Sequence, residues 1–204
     1  MDSTPKRIIV GISGASGIVY GIRLLEILRL VGVESHLVMT NAAKVTLALE
    51  TDLKLPQLSA LADVNYQTHD IGAAISSGSF KTAGMVVCPC SMRTLAEIAN
   101  GITGTLLPRA ADVVLKERRR LVLVARETPL HLGHIRNMAA VTEIGAIVYP
   151  PVPAMYAKPT SIEDMIDHTI GRVLDLFDIE SGTVRRWRQD KTAQKDTAEA
   201  PVTG

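Results

Sequence analysis

The sequence predicts an α/β domain: a doubly wound, mostly parallel sheet with helices on both faces. Three observations carry that prediction. Short apolar runs rich in Val and Ile alternate with amphipathic stretches along the 204 residues. Glycine- or proline-marked turns separate the runs from the helical patterns after them. The first such turn, Gly11-Ile12-Ser13-Gly14-Ala15-Ser16-Gly17, sets three glycines three apart between a β-branched run and a helix.

The elements follow in order. Arg7-Ile8-Ile9-Val10 begins the first strand, and the first helix carries Ile18, Ile22, Leu25 and Leu28 on one face. Strand, glycine turn and helix N-terminus leave backbone N–H groups aimed over the turn, and with the helix dipole they favour a phosphate. Ser13 and Ser16 add hydroxyls. Without a ligand, the same turn needs only a serine N-cap. The glycine spacing is not G-x-G-x-x-G, so it names no dinucleotide. Residues 35–40 form a second strand that ends in Thr40-Asn41, not in the acidic residue a dinucleotide ribose would require. A helix over 42–49 then runs into Glu50-Thr51-Asp52, where carboxylates oppose the dipole and solvation is the default expectation.

Residues 53–83 are the least regular stretch, with one short helical pattern at 58–62. Their segment Ile75-Ser76-Ser77-Gly78-Ser79-Phe80 is expected as a flexible surface loop, or a lid if a ligand lies beside it. Met85-Val86-Val87-Cys88 is a third strand, and Pro89-Cys90-Ser91 leads into a helix at 92–99 with Ser91 and Thr94 at its start. Two strand-to-helix turns at one edge of a parallel sheet would form a ligand crevice. Pro108 is expected to begin the next helix, which aligns Arg109 and Lys116 two turns apart with Asp112 between them. An ion-pair ladder explains that spacing as well as a ligand does. Arg118-Arg119-Arg120 offsets the dipole at the helix end.

The fourth strand, 121–125, runs into Arg126-Glu127-Thr128-Pro129, charged residues at the ligand edge of a buried strand. His131 and His134 open the next helix without a third ligand to make a metal site. The fifth strand, 146–149, enters a loop stiffened by Pro150, Pro151, Pro153 and Pro159. Thr160-Ser161-Ile162-Glu163 reads as a capping box for the final helix, which also carries Arg172. Acids are expected in a first helical turn, and without a second acidic cluster the run Glu163-Asp164-Met165-Ile166-Asp167 is not read as a magnesium motif. From about Arg185 the chain is polar, and 189–204 is expected as a disordered tail to a single domain over 1–188.

Composition narrows the function. With 22 basic and 21 acidic residues the net charge is +1, so the chain has no general attraction to nucleic acid or anionic membranes. No apolar run approaches the ~20 residues of a membrane span, and residues 1–7 lack a signal peptide's apolar region, so a cytoplasmic protein is expected. Cys88 and Cys90, separated by Pro89, make a poor disulfide and half a zinc site at most. They read as small residues at a strand end.

Taken together, Gly14-Ala15-Ser16-Gly17, Glu50-Thr51-Asp52, Pro89-Cys90-Ser91, the run from Arg109 to Arg118, Arg126-Glu127-Thr128-Pro129 and the segment from Pro150 to Tyr156 resemble the flavin prenyltransferases of the UbiX family over about residues 6–188. Thr40 stands where a serine is usual, and Met155 and Ala157 flank Tyr156 where an aromatic residue and a His or Asn are common. The resemblance implies metal-independent transfer of a dimethylallyl group from dimethylallyl monophosphate to N5 and C6 of reduced FMN. The product, prenylated FMN, would serve a UbiD-type decarboxylase in ubiquinone biosynthesis or aromatic-acid decarboxylation. It implies that Gly14, Ala15, Ser16, Thr40, Ser91, Met92, Arg93, Thr94 and Arg126 bind FMN. Lys116, Arg126, Tyr156 and Arg172 would hold the substrate phosphate, with Arg109 nearby. Ser16 and Glu127 would handle protons, Glu50 would lie near the reacting atoms, and the sites would sit between subunits of a homododecamer. The alternatives are a flavin-dependent cysteine decarboxylase with His69 as base, a non-catalytic FMN carrier, and direct decarboxylation of an aromatic acid. The first lacks an Asn at the Pro89-Cys90-Ser91-Met92 turn, and the last lacks an evident carboxylate site.

Overall fold

The computed structural model describes residues 6–184 and Arg186. The expected tail, 189–204, lies outside them. Six strands form one sheet: β1 (Arg7–Ile12), β2 (Glu34–Met39), β3 (Val64–Tyr66), β4 (Gly84–Cys90), β5 (Arg120–Ala125) and β6 (Ala146–Val148). All are parallel, in the order β3-β2-β1-β4-β5-β6. Chain order reverses direction between β1 and β4, which puts the crevice of a doubly wound sheet beyond their carboxyl ends. The sequence shows five of these strands. The sixth, β3, is a three-residue edge strand whose pattern is too short to register against its surroundings.

Helices cover both faces. Strand residues Ile8, Val10, Ile12, Val86, Cys88, Val122 and Val124 face α1 (Ile18–Leu30), α2 (Asn41–Glu50) and α7 (Ile162–Asp175) in one core. Their alternates Ile9, Met85, Val87, Leu121 and Leu123 face α4 (Met92–Ala99), α5 (Leu106–Lys116) and α6 (Leu132–Glu143) in the other. The two-residue period of a strand therefore builds two cores from one sheet. Ile18, Ile22, Leu25 and Leu28 are all buried, as the helical period of α1 requires. The short helix α3 (Leu55–Ser59) precedes β3.

Local boundaries shift for identifiable reasons. Helix α5 begins at Leu106, so Pro108 is its third residue, still within the first turn where no intrahelical N–H partner is lost. At α7 the cap is Ser161, whose hydroxyl accepts from Asp164 N–H at 3.1 Å, while the Asp164 carboxylate takes the Thr160 N–H and hydroxyl. The cap therefore sits one residue beyond the expected Thr160, and Asp164, not Glu163, reaches back to the residue before it. β4 continues through Cys90, and because Pro89 has no N–H to donate, its pairing with β5 shifts between Val87 and Cys90. Both cysteines are fully buried free thiols with raised pKa values, chiefly from desolvation.

The segment 75–80 is not a loose loop. Arg119 donates to the carbonyls of Phe80 and Gly78, both at 2.7 Å, and Arg109 to that of Ser76 at 3.3 Å. Ile75 is buried, and Phe80 packs edge-on against the His36 ring. Arg119 thus clamps a neighbouring segment, beyond the dipole role expected of it.

Candidate active site

The turns after β1 and β4 sit side by side and are tied together by Ser13. This fully buried serine donates its hydroxyl to Pro89 C=O at 2.9 Å and accepts Ser91 N–H at 2.7 Å, so it is unavailable to a ligand. The N-terminus of α1 has no serine cap either. Gly17 holds the cap position at φ 96°, a left-handed conformation that suits glycine. Two N–H groups at this end are taken by Glu50: its Oε2 accepts from Gly17 N at 2.9 Å and Ile18 N at 3.1 Å. A carboxylate from the end of α2 thus fills the anion position expected for a phosphate. Partial burial opposes the Glu50 charge. Hydrogen bonds from the Ser16 hydroxyl and from Gly17 and Ile18 N–H, with the nearby Arg126 charge, outweigh it and hold the carboxyl below its ordinary pKa. Glu50 stays exposed to solvent, as its default expectation had it, and is at the same time bound to the start of α1.

The open positions are the N-termini of α2 and α4. Thr40 caps α2 by accepting Ala43 N–H at 3.1 Å, and Ser91 caps α4 by accepting Thr94 N–H at 3.3 Å. A cavity of about 200 Å³ lies between them, lined by Gly14, Thr40, Asn41, Ala42, Thr68, His69, Ser91, Arg93, Thr94, Glu97 and Thr105. Five expected flavin-binding residues, Gly14, Thr40, Ser91, Arg93 and Thr94, therefore converge. Gly14 is required by close approach: a Cβ there would lie 2.4 Å from Ala42 Cβ. Ala15 is buried beside it, Ser16 and Arg126 stand at the Glu50 cluster, and the Met92 side chain packs into the core.

Asn41, which the sequence reading leaves at the strand's end, and Ala42, read as the helix start, form the first turn of α2 after Thr40. Thr68, His69 and Thr105 carry no signal of their own; Leu106 N–H donating to Thr68 C=O at 2.9 Å joins their segments at the rim. His69, the base considered for a decarboxylase, does reach this lining. Glu97 pairs with Arg93 at 3.0 Å.

The cations are dispersed. Arg126 N–H donates to Cys90 C=O at 3.2 Å, which fixes the backbone of the Arg126-Glu127 edge beside the β4 turn. Both side chains are exposed. Arg109 pairs with Asp112 at 2.8 Å, one rung of the expected ladder, whereas Lys116 pairs with Glu117 instead. Lys116 lies about 15 Å along α5 from the rim, ten residues at 1.5 Å each. Tyr156, in a 3-10 turn (Met155–Ala157), and Arg172 on α7 lie on the β6 flank, both near Tyr149. Arg172 pairs with Asp175 at 2.6 Å. Ala157 is buried and Met155 exposed. Among the described residues no group of His, Cys, Asp and Glu is arranged to hold a metal ion. Asp167, one of the α7 acids, binds Arg23 at 2.5 Å.

This fold and crevice define a flavoprotein: the Flavoprotein family model matches residues 1–186. The chain is 60% identical over 175 residues to flavin prenyltransferase UbiX of Escherichia coli K12, covering 85% of this chain and 93% of that protein. It is 52% identical over 181 residues to the UbiX of Thauera aromatica, covering 89% and 93%. The crystal structure of AnUbiX in complex with FMN and dimethylallyl pyrophosphate matches with a TM-score of 0.89 at 52% identity, over 91% of this chain and 98% of that one. A dodecameric FMN-dependent UbiX-like decarboxylase from Escherichia coli O157:H7 matches with a TM-score of 0.87 at 49% identity, over 89% and 99%. The chain belongs to the UbiX family of flavin prenyltransferases.

Proposed function

We propose that this chain transfers the dimethylallyl group of dimethylallyl monophosphate to N5 and C6 of reduced FMN. The observation that carries the reading is the Ser16–Glu50–Arg126 cluster beside a cavity lined by two capped helix N-termini, in a chain 60% identical to a UbiX. The donor set fits FMN: the first turns of α2 and α4, with Thr40, Ser91 and Thr94 hydroxyls, suit its phosphate and ribityl oxygens. Gly14 and Ala42 present little side chain there, so a ligand can reach the backbone.

Reduced FMN supplies the nucleophilic N5 and C6. The chain's own residues act on the leaving group. As the allylic carbon–oxygen bond breaks, charge grows on the phosphate oxygens, and Arg126, Lys116, Tyr156 and Arg172, with Arg109 nearby, are placed in the role of fixed donors to it. Each tenfold in rate needs only about 1.4 kcal/mol of such selective stabilisation. Glu50, held anionic, fixes Ser16 and sets negative charge near the carbon where positive charge develops. Ser16 and Glu127 move the protons released and required.

The cavity lining contains none of Arg109, Lys116, Tyr156 or Arg172. We assign their approach to neighbouring copies in a homododecamer, the assembly named for the Escherichia coli O157:H7 relative. The functional domain is taken as 1–188, the recipient of prenylated FMN as a UbiD-type decarboxylase, and the compartment as the cytoplasm. No helix among the described residues is long and apolar enough to cross a membrane.

The test is anaerobic incubation with reduced FMN and dimethylallyl monophosphate without added metal, followed by mass spectrometry of the released flavin. A flavin heavier by one five-carbon unit is expected. Unmodified FMN, released from folded protein, would favour the decarboxylase or carrier readings. Glu127→Gln is expected to keep FMN binding and lose turnover by about 100-fold, the usual scale for a proton-transfer group. Full turnover in that variant would remove Glu127 from the mechanism.

A further inference from the structure

One titratable side chain beside the expected phosphate ligands has no part in the reading above. His168 lies on α7 one turn before Arg172, so the two share a helix face. It is buried, with 8% of its surface exposed. Its ring meets the Tyr156 ring edge-on, with centroids 5.7 Å apart and planes at 83°. Its Nε2 stands 3.5 Å from the Tyr156 hydroxyl. Tyr156 itself is about half-exposed on a short 3-10 turn. The imidazole is therefore the more buried partner of the two.

A phenol has one hydrogen to give. If Nε2 accepts it, the hydrogen points into the protein and Tyr156 offers a phosphate only lone pairs. If Nε2 carries the proton, it donates to the phenol oxygen and turns the Tyr156 O–H outward. An oxygen that accepts one hydrogen bond also becomes a stronger donor in the next. At 3.5 Å the contact is long, and a shift of about 0.5 Å brings it to ordinary length.

We propose that His168 is a positioning residue: its Nε2–H donates to Tyr156 and directs the phenol hydrogen at the phosphate of dimethylallyl monophosphate. The inference rests on reading Tyr156 as a phosphate ligand. Its test is a double-mutant cycle under anaerobic turnover, with KM for dimethylallyl monophosphate and FMN affinity both measured. His168→Phe keeps the edge-on ring and removes the donor. It should raise that KM about fivefold, the scale of one net hydrogen bond, and leave FMN affinity unchanged. His168→Gln places an amide N–H near the Nε2 position and should restore KM to within about twofold. In a Tyr156→Phe background, His168→Phe should add less than about twofold.

An equal effect of His168→Phe with and without the Tyr156 hydroxyl would show a purely structural role and overturn the proposal. So would a KM unmoved by His168→Phe but raised by Tyr156→Phe, an outcome that leaves the reading of Tyr156 intact. A KM unmoved by Tyr156→Phe removes that reading and the proposal with it. Should His168→Phe fail to fold, His168→Asn, whose amide falls short of the Nε2 position, takes its place in the cycle.

Discussion

The turns after β1 and β4 are built alike and put to different uses. Each follows a buried parallel strand, carries serines and opens a helix at the same edge of the sheet. At α1 the exposed N–H groups are filled by Glu50 from the chain itself. At α4 the cap is the local Ser91, and the first turn faces a cavity. A helix N-terminus is therefore an anion position in general, and whether a ligand takes it depends on which side chain arrives first. The carboxylate at α1 clusters with two other expected site residues: it is hydrogen-bonded to Ser16 and lies close to Arg126.

This contrast can be broken at graded cost. The largest effect is expected from Gly14→Val, which drives a side chain into Ala42 at the start of α2. FMN affinity should fall by about 100-fold or more, measured by titration of flavin fluorescence, since the cavity wall itself must move. An affinity within threefold of wild type would mean that the cavity is not where flavin binds.

Ser13→Ala should come next, because it removes both side-chain bonds between the turns and leaves only the backbone bond from Ser13 N–H to Pro89 C=O. It strands Ser91 N–H in a part-buried position, at a cost of about 2 kcal/mol. For a domain of this size the thermal midpoint should drop by about 4–8 °C. A midpoint unchanged by scanning calorimetry would show that the two turns are held independently.

The smallest effect is expected from Glu50→Gln, which keeps the shape at α1 but removes the charge. A solvent-screened cap of this kind contributes about 1 kcal/mol, so the midpoint should fall by about 2–4 °C at pH 7. The sign with pH follows from the direction of the shift. Glu50 has a lower pKa folded than unfolded, so its stabilisation is complete above the unfolded value and is lost as pH falls through the folded one. The gap between wild type and variant should therefore be present at neutral pH and close below about pH 4.5. A gap that widens in acid would mean that Glu50 is held neutral.

Much of this architecture was written in local pattern. The β-branched run of β1, the buried stripe Ile18, Ile22, Leu25 and Leu28, and the bounds of α4 follow from the periods of strand and helix, which act over a few residues. So does the serine cap on α4. The motifs shared with UbiX proteins pointed to residues of both the cavity and the Glu50 cluster. What local pattern could not carry was pairing between distant segments. Glu50 lies 33 residues from Gly17, and nothing around either position states that the two will meet. Ser13 likewise looked like a ligand donor until the β4 turn arrived beside it.

By itself, the sequence determined the class of fold and pointed to the carboxyl edge of the sheet as the working edge, and its resemblance to UbiX proteins supplied the expected site residues. Tertiary structure alone decided which helix N-terminus was plugged and which left open. It also clamped 75–80 through Arg119, added β3 at the sheet edge, and kept Lys116 and the Tyr156–Arg172 pair away from the cavity they are expected to serve. The reason is physical. Periodicity and capping are short-range and recur in the chain as pattern, whereas a carboxylate finds its N–H partners only after the sheet has brought separate helices to one edge.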